Sequence, residues 1–245
     1  MIWCTGRGGG GPLFVGNILQ TMGASAGKAY LQKLRAQKIA KTTVSARHIS
    51  HLLAEPLDWS ETEDPHLHRI HALAEVYAIP TESVTAAPRL AAWVRDHVPS
   101  PVLIGPDEES RQWVAQVAAD AGAPWVVFRK RRLGDERVRE ELPDLGAYRD
   151  RTPVLVDDII SSGATMIQSA RALLQAGFTA PRCVAVHGIF AGGAYARLLA
   201  AGVAGVVTSN SIAHPSNAID VHDLLAAATS HQLAGASALQ GSGPW

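Results

Sequence analysis

Acidic charge is missing from the start of this 245-residue chain: residues 1–54 contain no Asp or Glu. Seven bases fall there instead, namely Arg7, Lys28, Lys33, Arg35, Lys38, Lys41 and Arg47. The whole chain is neutral at 22 bases against 22 acids, so the part beyond residue 54 is acidic, with 15 bases against 22 acids. A basic opening without acids fits an anion-binding segment, a transit-like leader or an unstructured leader. The leader reading is expected for residues 1–22, where the glycine run at 8–11 and Pro12 break any regular element. Cysteine is scarce: Cys4 and Cys183 cannot build a disulfide scaffold and read as incidental or buried thiols. No uncharged apolar run reaches the roughly 18 residues of a transmembrane helix, so no membrane partner is expected and the cytoplasm is the expected location. Aromatic residues are sparse, and the basic stretch at 28–47 has only Tyr30 among its charges, which argues against nucleic-acid binding. With 18% charged and 47% hydrophobic residues, global disorder is excluded and a packed core is expected. At roughly 150 residues per domain, the length suits one large domain or two small ones.

From residue 98 onward one pattern repeats: a short apolar run, a polar turn, then a helical stretch. The apolar runs are 101–104 (PVLI), 125–128 (WVVF), 153–156 (PVLV), 183–186 (CVAV) and 205–208 (GVVT). Helical spacing follows in RQWVAQVAADAG, MIQSARALLQAG and AYARLLAAG, with a last helix near 221–228. This alternation predicts an α/β fold, a parallel sheet with helices on both faces. Upstream, helices are expected within 42–58 and within 83–98, the latter with Pro88 in its first turn, joined by a loop-rich stretch at 62–82. Residues 229–245, rich in small side chains, are expected to form a flexible tail.

Ligands of such sheets lie outside the carboxyl ends of the strands. The polar turns there supply Asp107, the basic cluster at 130–132, Asp157 with Asp158, and the polar run at 209–211. The strongest motif is VLVDDIISSGATM at 154–166. A buried strand delivers two adjacent carboxylates at its tip, and a turn of small residues then opens a helix. Ser161, Ser162, Gly163, Ala164 and Thr165 can wrap a phosphate with backbone N–H groups, hydroxyls and the positive helix end. Asp157 and Asp158 would face a ribose diol or a hydrated Mg²⁺ carried by substrate. Two other motifs are set aside. Residues 23–29 (GASAGKA) are one residue short of a nucleotide P-loop and have Ala29 in place of its hydroxyl. His66, His68 and His71 lack a fourth ligand for zinc.

The 154–166 segment resembles the 5-phosphoribosyl-1-diphosphate (PRPP) loop shared by type I phosphoribosyltransferases and ribose-phosphate diphosphokinases (PRPP synthetases). Five further segments, DPHLHRIH, IPTESVTAAPRLAAWV, LIGPDEES, FRKRRLGDERV and VVTSNSI, resemble the diphosphokinase branch and fall in its order along the chain. The resemblance implies a phosphoribosyltransferase-like domain at 96–228, preceded by a shortened domain of the same type at 23–95. It implies transfer of a diphosphoryl group from ATP to ribose 5-phosphate with Mg²⁺, in a homo-oligomer. By the same resemblance, Lys130 and Arg132 are the catalytic cations of a flexible arm. Asp157, Asp158, Ser161, Ser162, Gly163, Ala164 and Thr165 bind ribose 5-phosphate, Arg35 and His66 bind ATP, and His66 and Asp107 meet the metal. His187 matches a family histidine to which no role is assigned. The chain departs from the family pattern at Ala36 and Gln37 in the nucleotide loop, at Glu108 and Glu109 in the pyrophosphate turn, and at Trp113 where an arginine is usual. Two other functions share the loop: a phosphoribosyltransferase that consumes PRPP, and a non-catalytic regulatory or associated protein.

Overall fold

The computed structural model describes residues 2–6, 13–15, 57–65, 72–132, 138–141 and 145–240. The chain divides into two compact units, Met1–Thr85 with Asp223–Trp245, and Ala86–His222. This differs from the boundaries expected at 95 and 228, because the helix that opens near residue 87 packs with the second unit.

The first unit contains β1 (Ile2–Gly6), β2 (Leu13–Val15), β3 (Leu57–Glu63) and β4 (Thr81–Val84), in the sheet order β2-β1-β3-β4. β1 runs antiparallel to β2 and β3, while β3 and β4 are parallel. Two strands therefore lie within the stretch expected to be an unordered leader. The glycines and Pro12 that argue against regular structure fall between the strands. The helix expected within 42–58 lies outside the described residues, apart from the last two positions, where β3 begins.

The second unit opens with α1 (Ala87–His97), followed by β5 (Pro101–Gly105), α2 (Arg111–Ala121) and β6 (Trp125–Val127). A short ribbon, β7 (Arg129–Arg132) with β8 (Val138–Glu141), comes next. Then follow β9 (Thr152–Ile160), α3 (Ala164–Gln175), β10 (Arg182–Gly188), α4 (Ala194–Ala200), β11 (Gly205–Ser209) and β12 (Asn217–Ile219). The six strands β12-β11-β10-β9-β5-β6 form one sheet, and every neighbouring pair is parallel. The apolar runs become strands because both faces are covered: positions 153–156 are buried without alternation. The helices bury one stripe each. In α1 it is Ala87, Leu90, Ala91 and Val94, and in α3 it is Met166, Ser169, Ala170 and Leu173, both at the three-and-four spacing of a single helix face. Of these, Met166, Ala170 and Leu173 of α3 share a core cluster with Ile104, Leu155, Cys183 and Val206. Full burial of each large aliphatic side chain contributes roughly 2 kcal/mol. Burial pushes the Cys183 thiol up to about 12, so it stays protonated and behaves as an apolar group.

The last helix, α5 (His222–Gln240), belongs to the first unit from Asp223 onward. It runs helically through residues 229–240, where a flexible tail was expected. Small residues such as alanine leave little apolar periodicity to read, yet they favour the helix.

In the first unit, Ser60, Glu61, Thr62 and Glu63 of β3 are all buried. Glu61 lies in register with Glu82 of β4. Thr229 of α5 donates to Glu61 Oε2 at 2.9 Å, and Gln232 donates to Glu82 Oε2 at 2.8 Å. Burial pushes the Glu61 carboxyl up, against the pull of the Thr229 bond. Burial, reinforced by the neighbouring charge of Asp64, pushes Glu63 to about 7. A raised carboxyl stabilises the fold fully below its unfolded value of 4.5, and that contribution is lost as pH rises through about 7. Glu63→Gln is therefore expected to raise stability by about 2 kcal/mol at pH 8 and to leave it nearly unchanged at pH 4. Urea midpoints at the two pH values measure this, and equal gains at both would exclude ionisation as the cause.

Candidate active site

Strand order reverses between β5 and β9: the chain moves outward from β5 to β6, then returns to place β9 on the other side of β5. Helices therefore diverge at this point, leaving a crevice above the carboxyl ends of the two strands. Asp107 follows β5 directly, and Asp157 and Asp158 sit on β9. The acids were expected at the tip of a strand ending near 156. Instead β9 continues to Ile160, because pairing with β10 persists through Ala185↔Asp157, His187↔Ile159 and Gly188↔Ile160. Pairing with β5 stops at Ile104↔Leu155. The acids thus lie where β9 has lost one neighbour and kept the other.

Their convergence has an electrostatic cost. Asp158 N–H donates to Asp157 Oδ1 at 3.1 Å. Burial pushes the Asp157 carboxyl up to about 8, and the Asp158 carboxyl beside it and then Asp107 add to the rise. Asp107 also caps the turn before α2: its Oδ1 accepts from Glu109 N at 3.1 Å and Ser110 N at 3.3 Å. Gly105 is required there, since a Cβ would stand 2.5 Å from Ser110 Oγ. Glu108 is held by Arg111 through two bonds of 2.7 and 2.9 Å. Among the described residues no group of three or more Asp, Glu, His or Cys is arranged to hold a metal ion. A cluster of hard oxygen donors that repel one another still fits Mg²⁺ that arrives with most of its ligands supplied by water and substrate phosphates.

The turn after β9 is ordered from behind. Ile160 O accepts from Ile189 N at 3.1 Å and from Phe190 N at 3.0 Å, and Ser161 O accepts from Ala191 N at 3.0 Å. Ser162 O accepts from Arg197 Nη2 at 2.8 Å. These peptides are trans, so each N–H points opposite to the carbonyl before it. Fixing three carbonyls toward the β10–α4 loop turns the amides of Ser161, Ser162 and Gly163 the other way. Ser162 Oγ accepts from Ala164 N at 3.4 Å. Gly163 has φ +68, a left-handed conformation that favours glycine, and it leads directly into α3. The supporting loop is itself tightly built: Phe190 has φ +48, and a Cβ on Gly188 would lie 2.5 Å from Phe190 Cε2.

Other expected residues are placed as follows. Lys130 and Arg132 lie on β7, in register with Glu140 and Val138 of β8. β7 leaves the sheet just beyond β6, at the same edge as Asp107 and Asp157. Arg35 and His66 lie outside the described residues. The polar run at 209–211 also reaches the strand ends, but Ser209 and Ser211 are buried and serve the scaffold. Ser209 Oγ donates to Val186 O at 2.9 Å, and Ser211 Oγ meets His187 Nδ1 at 2.9 Å. Sequence reading missed Arg197. Its one signal is isolation: no other Lys, Arg, Asp or Glu lies between Arg182 and Asp220.

The phosphoribosyl transferase domain model matches residues 74–223. The chain belongs to this family. Within it, the chain is 31% identical over 180 residues to the ribose-phosphate pyrophosphokinase of Methanopyrus kandleri, covering 73% of this chain and 60% of that one. It is 29% identical over 194 residues to the ribose-phosphate pyrophosphokinase of Agrobacterium fabrum, covering 77% and 61%. The chain therefore spans about three fifths of the length of these relatives. Among solved structures, the phosphoribosylpyrophosphate synthetase of Mycobacterium smegmatis superposes with a TM-score of 0.67 at 21% identity, covering 80% of this chain and 66% of that one. The parallel sheet with helices is the fold of this family, as the alternating pattern predicted.

The carboxyl cluster yields a stability test. Asp157 contributes fully below its ordinary value of 3.8, and that contribution is lost as pH rises through about 8. Asp157→Asn is expected to raise stability by about 2 kcal/mol at pH 9, with little change at pH 3.5. Urea unfolding at both values measures it, and a loss at pH 9 would show that the crevice carboxylates do not repel.

Proposed function

We propose that this chain is a ribose-phosphate diphosphokinase, transferring the diphosphoryl group of ATP to the 1-hydroxyl of ribose 5-phosphate to give PRPP and AMP. The observation that carries the reading is the backward anchoring of the 160–162 carbonyls, which presents amides beside the Asp157–Asp158 pair. The similarity to ribose-phosphate pyrophosphokinases supports it.

In this reading the 5-phosphate rests on the amides and hydroxyls of Ser161, Ser162, Gly163, Ala164 and Thr165, at the positive end of α3. Asp157 and Asp158 accept from the ribose hydroxyls, which relieves part of the repulsion between the acids. The anchored sugar then offers O1 in line with the β-phosphorus of ATP. The O1–Pβ bond forms, the bond from Pβ to the oxygen bridging Pα breaks, AMP leaves with that oxygen, and the O1 proton passes to solvent. Lys130 and Arg132, carried on the β7–β8 ribbon, neutralise the charge spread over the transferring group. By the resemblance, Arg35 and His66 would hold ATP, and Asp107 and His66 would hold the metal. Mg²⁺ bound with ATP would supply neutralisation of the charge on the transferring group. Homo-oligomer formation belongs to the same proposal.

The test is an assay for AMP. Purified, folded protein with ATP and Mg²⁺ is expected to release AMP only when ribose 5-phosphate is present. Lys130→Ala is expected to cut kcat by at least about 100-fold with little change in the affinity for ribose 5-phosphate. No AMP above background from the folded wild-type protein overturns the assignment, and PRPP consumption with a nucleobase in the absence of ATP would redirect it to a phosphoribosyltransferase.

A further inference from the structure

We infer that Arg197 is a positioning residue for sugar-phosphate binding, acting through the Ser162 carbonyl rather than on the phosphate itself. This rests on the phosphate-cradle reading above.

Three carbonyls in a row are engaged from one side, and they are not held alike. Those of Ile160 and Ser161 accept from backbone amides of the β10–α4 loop, at 3.0–3.1 Å. The carbonyl of Ser162 has no backbone donor opposite it among the described residues. It is taken by the Arg197 guanidinium from α4, 35 residues away in sequence, at 2.8 Å. The peptide between Ser162 and Gly163 is the last before α3 and carries the Gly163 amide, which lies at the centre of the cradle. Without the guanidinium this carbonyl loses the side-chain donor that holds it, and glycine tolerates both hands of backbone twist. The φ of +68 at Gly163 would then no longer be enforced. A charged donor on a carbonyl forms a shorter and stronger bond than a neutral one, so Arg197 suits this task. Ser162 is exposed, so its side chain adds no packing to replace the tether, while the buried Gly163 lies beside Ala194 and Leu198 of the same helix. A methionine at 197 keeps an unbranched apolar stem on α4 but is shorter than arginine and donates nothing. A glutamine still donates an N–H without the charge.

The experiment is calorimetric titration of ribose 5-phosphate into the full chain and into Arg197→Met and Arg197→Gln, with urea midpoints as a check on folding. Arg197→Met is expected to weaken binding about tenfold, and Arg197→Gln to recover most of that loss. In turnover, the effect is expected in KM for ribose 5-phosphate, with kcat and KM for ATP held. Binding in Arg197→Met equal to wild type overturns the inference. So does an equal loss in both variants, which would place the charge directly on the phosphate. If Arg197→Met does not fold, wild-type affinity in Arg197→Gln together with a tenfold loss in Arg197→Leu carries the same decision. Wild-type protein that takes up no ribose 5-phosphate overturns the phosphate-cradle reading itself.

Discussion

Planarity of the peptide bond is the constraint on which the site depends. A chain cannot aim an amide without also aiming the carbonyl on the other side of the same plane. In the turn after β9 the carbonyls of Ile160, Ser161 and Ser162 are given partners in the β10–α4 region, and the amides follow. An anion arriving at such a turn meets donors already oriented, so little reorganisation opposes binding. The helix that begins at Ala164 then adds its positive end to the same place.

The acids next to this turn act in the opposite sense. Asp107, Asp157 and Asp158 come together because the sheet changes direction between β5 and β9, which brings two strand ends to one crevice. Burial pushes the Asp157 carboxyl up, and the Asp158 and Asp107 carboxyls brought to the same crevice add to the rise. Stability given up at one point of a fold is expected where a ligand restores it. A site with amides on one side and repelling carboxylates on the other matches a molecule with an anionic end and a hydroxylated or cation-bearing end.

Much of the second unit was legible in the sequence because its strands are covered on both faces. PVLI, PVLV, CVAV and GVVT read as strands without alternation, and all four are strands. The turn at 161–165 was legible because its chemistry is local: five small residues in succession after two acids. What was hidden depends on distance or on polarity. The extension of β9 through Asp157 and Asp158 was hidden because acids interrupt an apolar run, although backbone pairing with β10 does not depend on side-chain polarity. The tether from Arg197 was hidden because it spans 35 residues. Buried Glu61 and Glu63 were hidden because buried carboxyls are rare, and Glu63 falls in a stretch that reads as loop-rich. Ser209 and Ser211 were expected among the ligand-facing groups, yet they reach the right edge of the sheet and turn inward to Val186 and His187.

Gly188 and Phe190 constrain each other. A methyl group at 188 collides with the phenyl ring, and the ring holds its own backbone in a left-handed turn against Tyr195 and His214. Thr208 Cγ2 closes the same space from the neighbouring strand, 3.0 Å from such a methyl. Descendants of this chain can therefore change position 188 only after room has been made at both 190 and 208, and an earlier change there passes through an intermediate whose supporting loop no longer fits.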